Sequence, residues 1–206
     1  MIDETTFIGD GEPMRWEQLF SDLDARFTDL EDAEMMAELA DRQRVAAGAI
    51  SMVQRIAGAS GRTIRVRTTA GISVTGTLLA VGPDWILLQE GPGREVLLSL
   101  AAATVIEGLA WETGPALKGV GLKLNLRHAL RGLARDRSPV AVIVGGGIGE
   151  PTSLYTEVTG TIDRLGADFL ELALHAAWEP RRVVSVRAVV LIPVCAVVLV
   201  RALPLG

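Results

Sequence analysis

The stretch that decides the fold is Val74-Thr-Gly-Thr-Leu-Leu-Ala-Val-Gly-Pro-Asp-Trp-Ile-Leu-Leu88, because it returns 84 positions later as Val158-Thr-Gly-Thr-Ile-Asp-Arg-Leu-Gly-Ala-Asp-Phe-Leu-Glu-Leu172. Val, Thr, Gly, Thr, Gly, Asp and Leu recur in the same columns. Upstream, Ile64-Arg-Val66 aligns with Val140-Ala-Val142 at an offset of 76, so the second copy holds 8 extra residues in its first hairpin. Downstream, Leu97-Leu98-Ser-Leu100 aligns with Leu191-Ile192-Pro-Val194 at an offset of 94, which lengthens its third hairpin by 10. Length changes confined to turns are what a duplicated unit tolerates.

Within the first copy, Ile64, Val66, Ile72, Val74, Leu78, Ile86, Leu88, Val96 and Leu98 fall in short β-type runs. Ala70-Gly71, Gly82-Pro83-Asp84 and Gly91-Pro92-Gly93 punctuate them. Five short strands with tight turns predict a small antiparallel barrel. The expected fold is therefore α+β with a mainly β core: a long acidic N-terminal helix followed by two tandem five-stranded barrels, each preceded by a helix. The expected divisions are a flexible tail over 1–13, an acidic amphipathic helix over 14–57, a first barrel over 58–112, a linker over 113–121, and a helix with the second barrel over 122–206.

In the helical segment, Trp16, Leu19, Leu23, Phe27 and Leu30 recur every three or four residues and share one stripe. Acidic residues from Glu17 to Asp41 fill most of the remainder, and Pro13 suits a helix start. The stripe weakens after Leu30, which leaves open a break near 32–38. It must be buried against something: the barrels, a protein partner, or a second copy in a coiled coil.

With 49% hydrophobic and 22% charged residues the chain carries a packed core, and at 4% aromatics the packing is aliphatic. The net charge of −5 hides an asymmetry. Residues 1–41 hold 13 acidic and 2 basic side chains, whereas 42–206 hold 12 acidic and 18 basic. An acidic arm on a mildly basic body suggests self-association, an acidic-surface partner, or a mimic of nucleic acid. The one cysteine, Cys195, lies in the apolar run 194–200 and reads as a buried small hydrophobe in a reducing, cytoplasmic setting. The uncharged run 188–200 is too short to span a membrane as a helix and contains Pro193, so two short buried strands are expected there.

A helix followed by five strands, the second reading Val-Thr-Gly-Thr-[Leu/Ile] at 74–78 and 158–162, resembles the Sm and Sm-like (LSm) family in its Hfq-like branch. The similarity covers roughly 49–109 and 122–203, and the spacing from Gly76 to Leu88 carries it. The resemblance implies RNA binding by rings in which strand four of one barrel pairs with strand five of the next. This sequence departs from the family at Gly82 and Gly166, which replace the turn aspartate. The Tyr-Lys-His stretch of the family's uridine pocket corresponds to Leu98-Ser99-Leu100 and Ile192-Pro193-Val194. None of these can stack a base or bind a phosphate, which moves the expectation from RNA pocket to scaffold.

Two constellations could bind nucleic acid. A helix from Leu122 to about Asp136 aligns Lys123, Arg127, Arg131 and Arg135 at a spacing of four, with Arg137 beyond. The row reads as a phosphate-tracking patch, a solvated face, or a dock for the acidic helix. A long loop holds His175, Trp178, Arg181 and Arg182, where an aromatic beside paired arginines could hold a single strand. Gly145–Gly149 follows a strand but lacks the Gly-Lys-Ser/Thr of a phosphate loop and reads as a hairpin. Asp84 and Asp168 are explained by turn chemistry. Two histidines and one cysteine offer no zinc spacing, and no catalytic triad is legible, so no enzyme, cofactor or metal is expected.

The function expected is a non-catalytic, oligomerising adaptor or scaffold, associated with RNA through basic surfaces. A protein-interaction module built on the acidic helix is the alternative, and a Fis-like DNA-binding regulator stands behind it, without a visible helix-turn-helix pair. The expected partners are RNA ahead of DNA, a protein partner, and copies of the chain joined through the N-terminal helix and the barrel edges; no membrane is expected. Apolar residues on both faces of 96–100 and 189–194 predict that both strands are covered on both sides, and hence a homo-oligomer.

Overall fold

The computed structural model describes residues 16–146, 155–175 and 188–203, with the side chains of 16–25, 28, 32 and 46 excepted. The chain divides after Ala49 into two units. In the first, helix α1 spans Trp16–Gly48 without a break. Its side chains described from Arg26 onward are all exposed, Phe27 and Leu30 included. The single helix expected over 14–57 does not form: α1 stops at Gly48, and a separate helix α2 covers Met52–Ala57. Ser51 and Gln54 explain the restart, since each side chain bonds the other's backbone N–H in a capping box. The expected coiled coil is likewise corrected, because α1 is the only helix of its unit among the described residues.

The second unit is one antiparallel sheet of ten strands. They are β1 (Thr63–Thr68), β2 (Ser73–Val81), β3 (Trp85–Gly91), β4 (Arg94–Ser99) and β5 (Ala103–Glu107), then, after helix α3 (Leu126–Asp136), β6 (Pro139–Gly145), β7 (Tyr155–Leu165), β8 (Phe169–Leu174), β9 (Ala188–Pro193) and β10 (Val197–Ala202). The order across the sheet is β5-β1-β2-β3-β4-β10-β6-β7-β8-β9. The expectation of two separate five-stranded barrels is therefore overturned. β4 pairs with β10, and the two halves are continuous at that seam. The reason lies in composition: Val96–Ser99 and Val197–Val200 are apolar or small on both faces, and pairing with one another covers both.

The repeat persists in register. Ile64 lies opposite Gly76 and Val140 opposite Gly160. A bulge falls between Leu78 and Ala80 in β2 and between Ile162 and Arg164 in β7, 84 positions on. The register also slips past Thr104 in β5 and past Val198 in β10, 94 positions apart. The glycines follow from close approach: a Cβ on Gly76 would stand 2.6 Å from the Gln89 carbonyl oxygen, and one on Gly160 would strike that of Ala173. Two aliphatic clusters form the core, one beneath each half. Each buried Leu, Ile or Val in them contributes about 1.5–3 kcal/mol over its exposed state. No described helix is long and apolar enough to cross a membrane.

Candidate functional site

The seam joins the halves through both backbone and core. Leu98 lies opposite Leu199, Leu97 opposite Val200, and Val96 opposite Arg201. Ile143, Val198 and Leu199 enter the core cluster of the first half, while Leu97, with Trp85 and Leu87 packed beside it, enters that of the second. Arg201 Nε donates to Glu90 Oε2 at 3.2 Å across the seam, with both side chains mostly covered.

Helix α3 is bolted over the same junction. Its N-cap Asn125 accepts from the His128 N–H, and the Asp84 carboxylate in the β2–β3 turn accepts from the Leu126 N–H at 2.7 Å. The Trp85 indole N–H donates to the Leu124 carbonyl at 2.7 Å. In the other half, Arg127 Nε donates to the Gly166 carbonyl at 2.6 Å. Asp84 thus does more than shape a turn, a role that no residue spacing signals.

At the two ends of the sheet lie the repeat equivalents of the seam strands. β5 corresponds to β10 and β9 to β4, and neither has a neighbour on its outer side among the described residues. Leu97 is 6% exposed and its counterpart Leu191 is 61% exposed. Leu199 is fully buried and its counterpart Val105 is 45% exposed. Within the chain the two runs part company: 96–100 is covered because β4 forms the seam, whereas β9, which holds 189–193, is an edge.

The expected basic row is partly dismantled. The helix begins at Leu126, so Lys123 lies in the preceding 3-10 turn and off the row. Arg127 is half-buried and spends its guanidinium on Gly166. Arg131, Arg135 and Arg137 are exposed, the last in a left-handed conformation (φ 52°) that ends the helix. His175 is not on an open loop face: it is buried, with Nε2 2.8 Å from Thr161 Oγ1. Trp178, Arg181 and Arg182, and the side chains of Trp16, Leu19 and Leu23, lie outside the described residues. The tail over 1–13 does too. Cys195 is corrected from buried to exposed, because Pro193 ends β9 and places it in the following 3-10 turn. A shallow groove of about 580 Å³ is lined by Thr63, Thr75, Thr77 and Gln89, with Glu90 at its wall held by Arg201. No cluster of three metal-binding side chains occurs among the described residues. No family model, no curated protein and no solved structure matches this chain.

Proposed function

We propose that this chain is a non-catalytic adaptor that assembles head to tail, β9 of one copy pairing with β5 of the next. The observation that carries this reading is the β4–β10 seam, whose two faces recur unpaired at opposite ends of the same sheet. Transposed by the repeat offset, the seam register places Ile192 opposite Val105, Leu191 opposite Ile106, and Val190 opposite Glu107. A contact between two different faces of identical chains is heterologous, so it closes into a ring or runs on as a filament. An exposed edge bearing Val189 and Leu191, with no charge on β9 to blunt it, favours such pairing.

Sedimentation of the full-length chain over a range of concentrations tests this. The expected result is a mass above 21.9 kDa that rises with concentration. Leu191→Lys and Val105→Lys should each return it to the single-chain value. A single-chain mass at every concentration would sink the reading.

Association with RNA is a second reading. Its support is that Lys123, Arg131, Arg135 and Arg137 are exposed, with no ion pair among the described residues, on a segment anchored to both halves. Four cations on a single strand give a salt slope of roughly −2.8, so affinity should fall on the order of fiftyfold between ~50 and ~200 mM salt. Replacing all four with alanine should remove both the binding and the slope. Binding that ignores the replacement counts against this row.

A further inference from the structure

The helix starts of the two halves are equivalent, yet one of them lacks its seat. Asn125 caps α3 and Ser51 caps α2, each accepting a bond from the backbone three residues on. Leu126 and Met52 follow the caps, and one turn later Leu130 and Ile56 are both fully buried, so the two starts align residue by residue. There the likeness ends: Leu126 is 4% exposed and Met52 is 55% exposed. Leu126 lies in the cluster that Leu97, Trp85 and Leu87 enter from the other half. The described residues before Met52 form helix α1 and no strand.

The missing seat exists at the far end of the sheet. Phe169 stands where Trp85 does in the repeat, and Leu191 stands where Leu97 does, exposed for most of its surface. Asp168 holds the place of Asp84 and is exposed. Glu171 replaces Leu87, opposite Leu191 and paired with Arg164 at 3.6 Å, so the seat is apolar at Phe169 and Leu191 and charged beside them. An unseated apolar side chain and a seat with two uncovered apolar members thus sit on the two faces that edge pairing would bring together.

We propose that Met52 of one copy docks against Phe169 and Leu191 of the next, as Leu126 docks at the seam. This inference rests on the head-to-tail pairing of β9 with β5 and adds a second, side-chain contact to it. The occupant is a second copy because the contact continues an interface already built within the chain, with the same helix-start geometry on one side and the same turn on the other. Phenylalanine lacks the indole N–H with which Trp85 holds Leu124, so the docked contact is apolar. An unbranched, flexible methionine suits such an imperfect seat.

The test uses the full-length chain with Cys195→Ser, carrying Met52→Cys, Phe169→Cys or both, under mild oxidation. The double variant should give a disulfide ladder above the dimer, and neither single variant should give dimers. Separately, Met52→Lys should weaken self-association about tenfold or more in sedimentation, since a half-exposed position leaves the single chain intact. Suppose the chain assembles, Leu191→Lys dissociates it, but no ladder forms and Met52→Lys changes nothing. Then the docking is wrong and the edge pairing stands. A wild-type chain that never assembles overturns both. Dimers from Met52→Cys alone would mean that two helix starts meet each other, which also overturns the docking.

Discussion

Asp84 accepts a hydrogen bond from the Leu126 N–H at 2.7 Å, tying a turn of the first half of the sheet to the first residue of the helix that covers the second. The carboxylate faces the positive end of the α3 dipole and satisfies one of its orphan donors. Asp84→Ala should therefore cost about 1–2 kcal/mol, read from the midpoint of urea unfolding. The equivalent Asp168→Ala should change stability by no more than ~0.5 kcal/mol in the dissociated chain. Equal effects at both positions would mean that the bond to Leu126 contributes nothing.

The contrast between Leu199 and Val105 gives a second expectation. They are equivalent in the repeat, but one is sealed in the seam and the other lies on an open edge. Leu199→Ala should cost about 2–5 kcal/mol through lost burial and the cavity left behind. Val105→Ala should stay within ~0.5 kcal/mol where the chain is dissociated. A mild Leu199→Ala would show that the two halves are stable without the seam.

At Gly76, β2 passes close against the backbone of β3. Alanine there would drive its methyl against the Gln89 carbonyl, a backbone atom with no freedom to rotate away. Overpacking of this kind costs roughly 1–3 kcal/mol, and Gly76→Ala should show it in thermal or urea unfolding. Gly132→Ala, on an open face of α3, should instead stabilise by up to about 1 kcal/mol.

The repeat was legible because Gly76 and Gly160, Leu78 and Ile162, and the turns between strands obey local rules that leave marks at fixed spacing. Pairing of β4 with β10 was not legible, since apolar runs on both faces say that a strand is covered and not by what. The same runs at 96–100 and 189–194 led to one expectation for both, yet within the chain only the first is covered. Reading the α3 row from spacing alone also began the helix too early: Asn125, a stronger cap than any residue near Leu122, sets the start and takes Lys123 off the row. Asp84 and Arg127 owe their roles to neighbours about 40 residues away in sequence, which periodicity cannot register.

Arg201 and Glu90 form the one ion pair that crosses the seam among the described residues, at 3.2 Å with side chains 28% and 22% exposed. Both are more covered than the partners in the pairs Arg42–Glu38 and Arg44–Asp41 on α1, so solvent screens them less. Removing either partner leaves a charge with little water to replace the lost bond. A double-mutant cycle of Glu90→Gln with Arg201→Gln should give a coupling of about 0.5–3 kcal/mol in unfolding free energy. The coupling should persist at salt concentrations that erase an exposed pair. A coupling near zero would mean that the backbone and apolar contacts of β4 and β10 hold the seam without it, and Leu199→Ala would then account for the larger share of its stability.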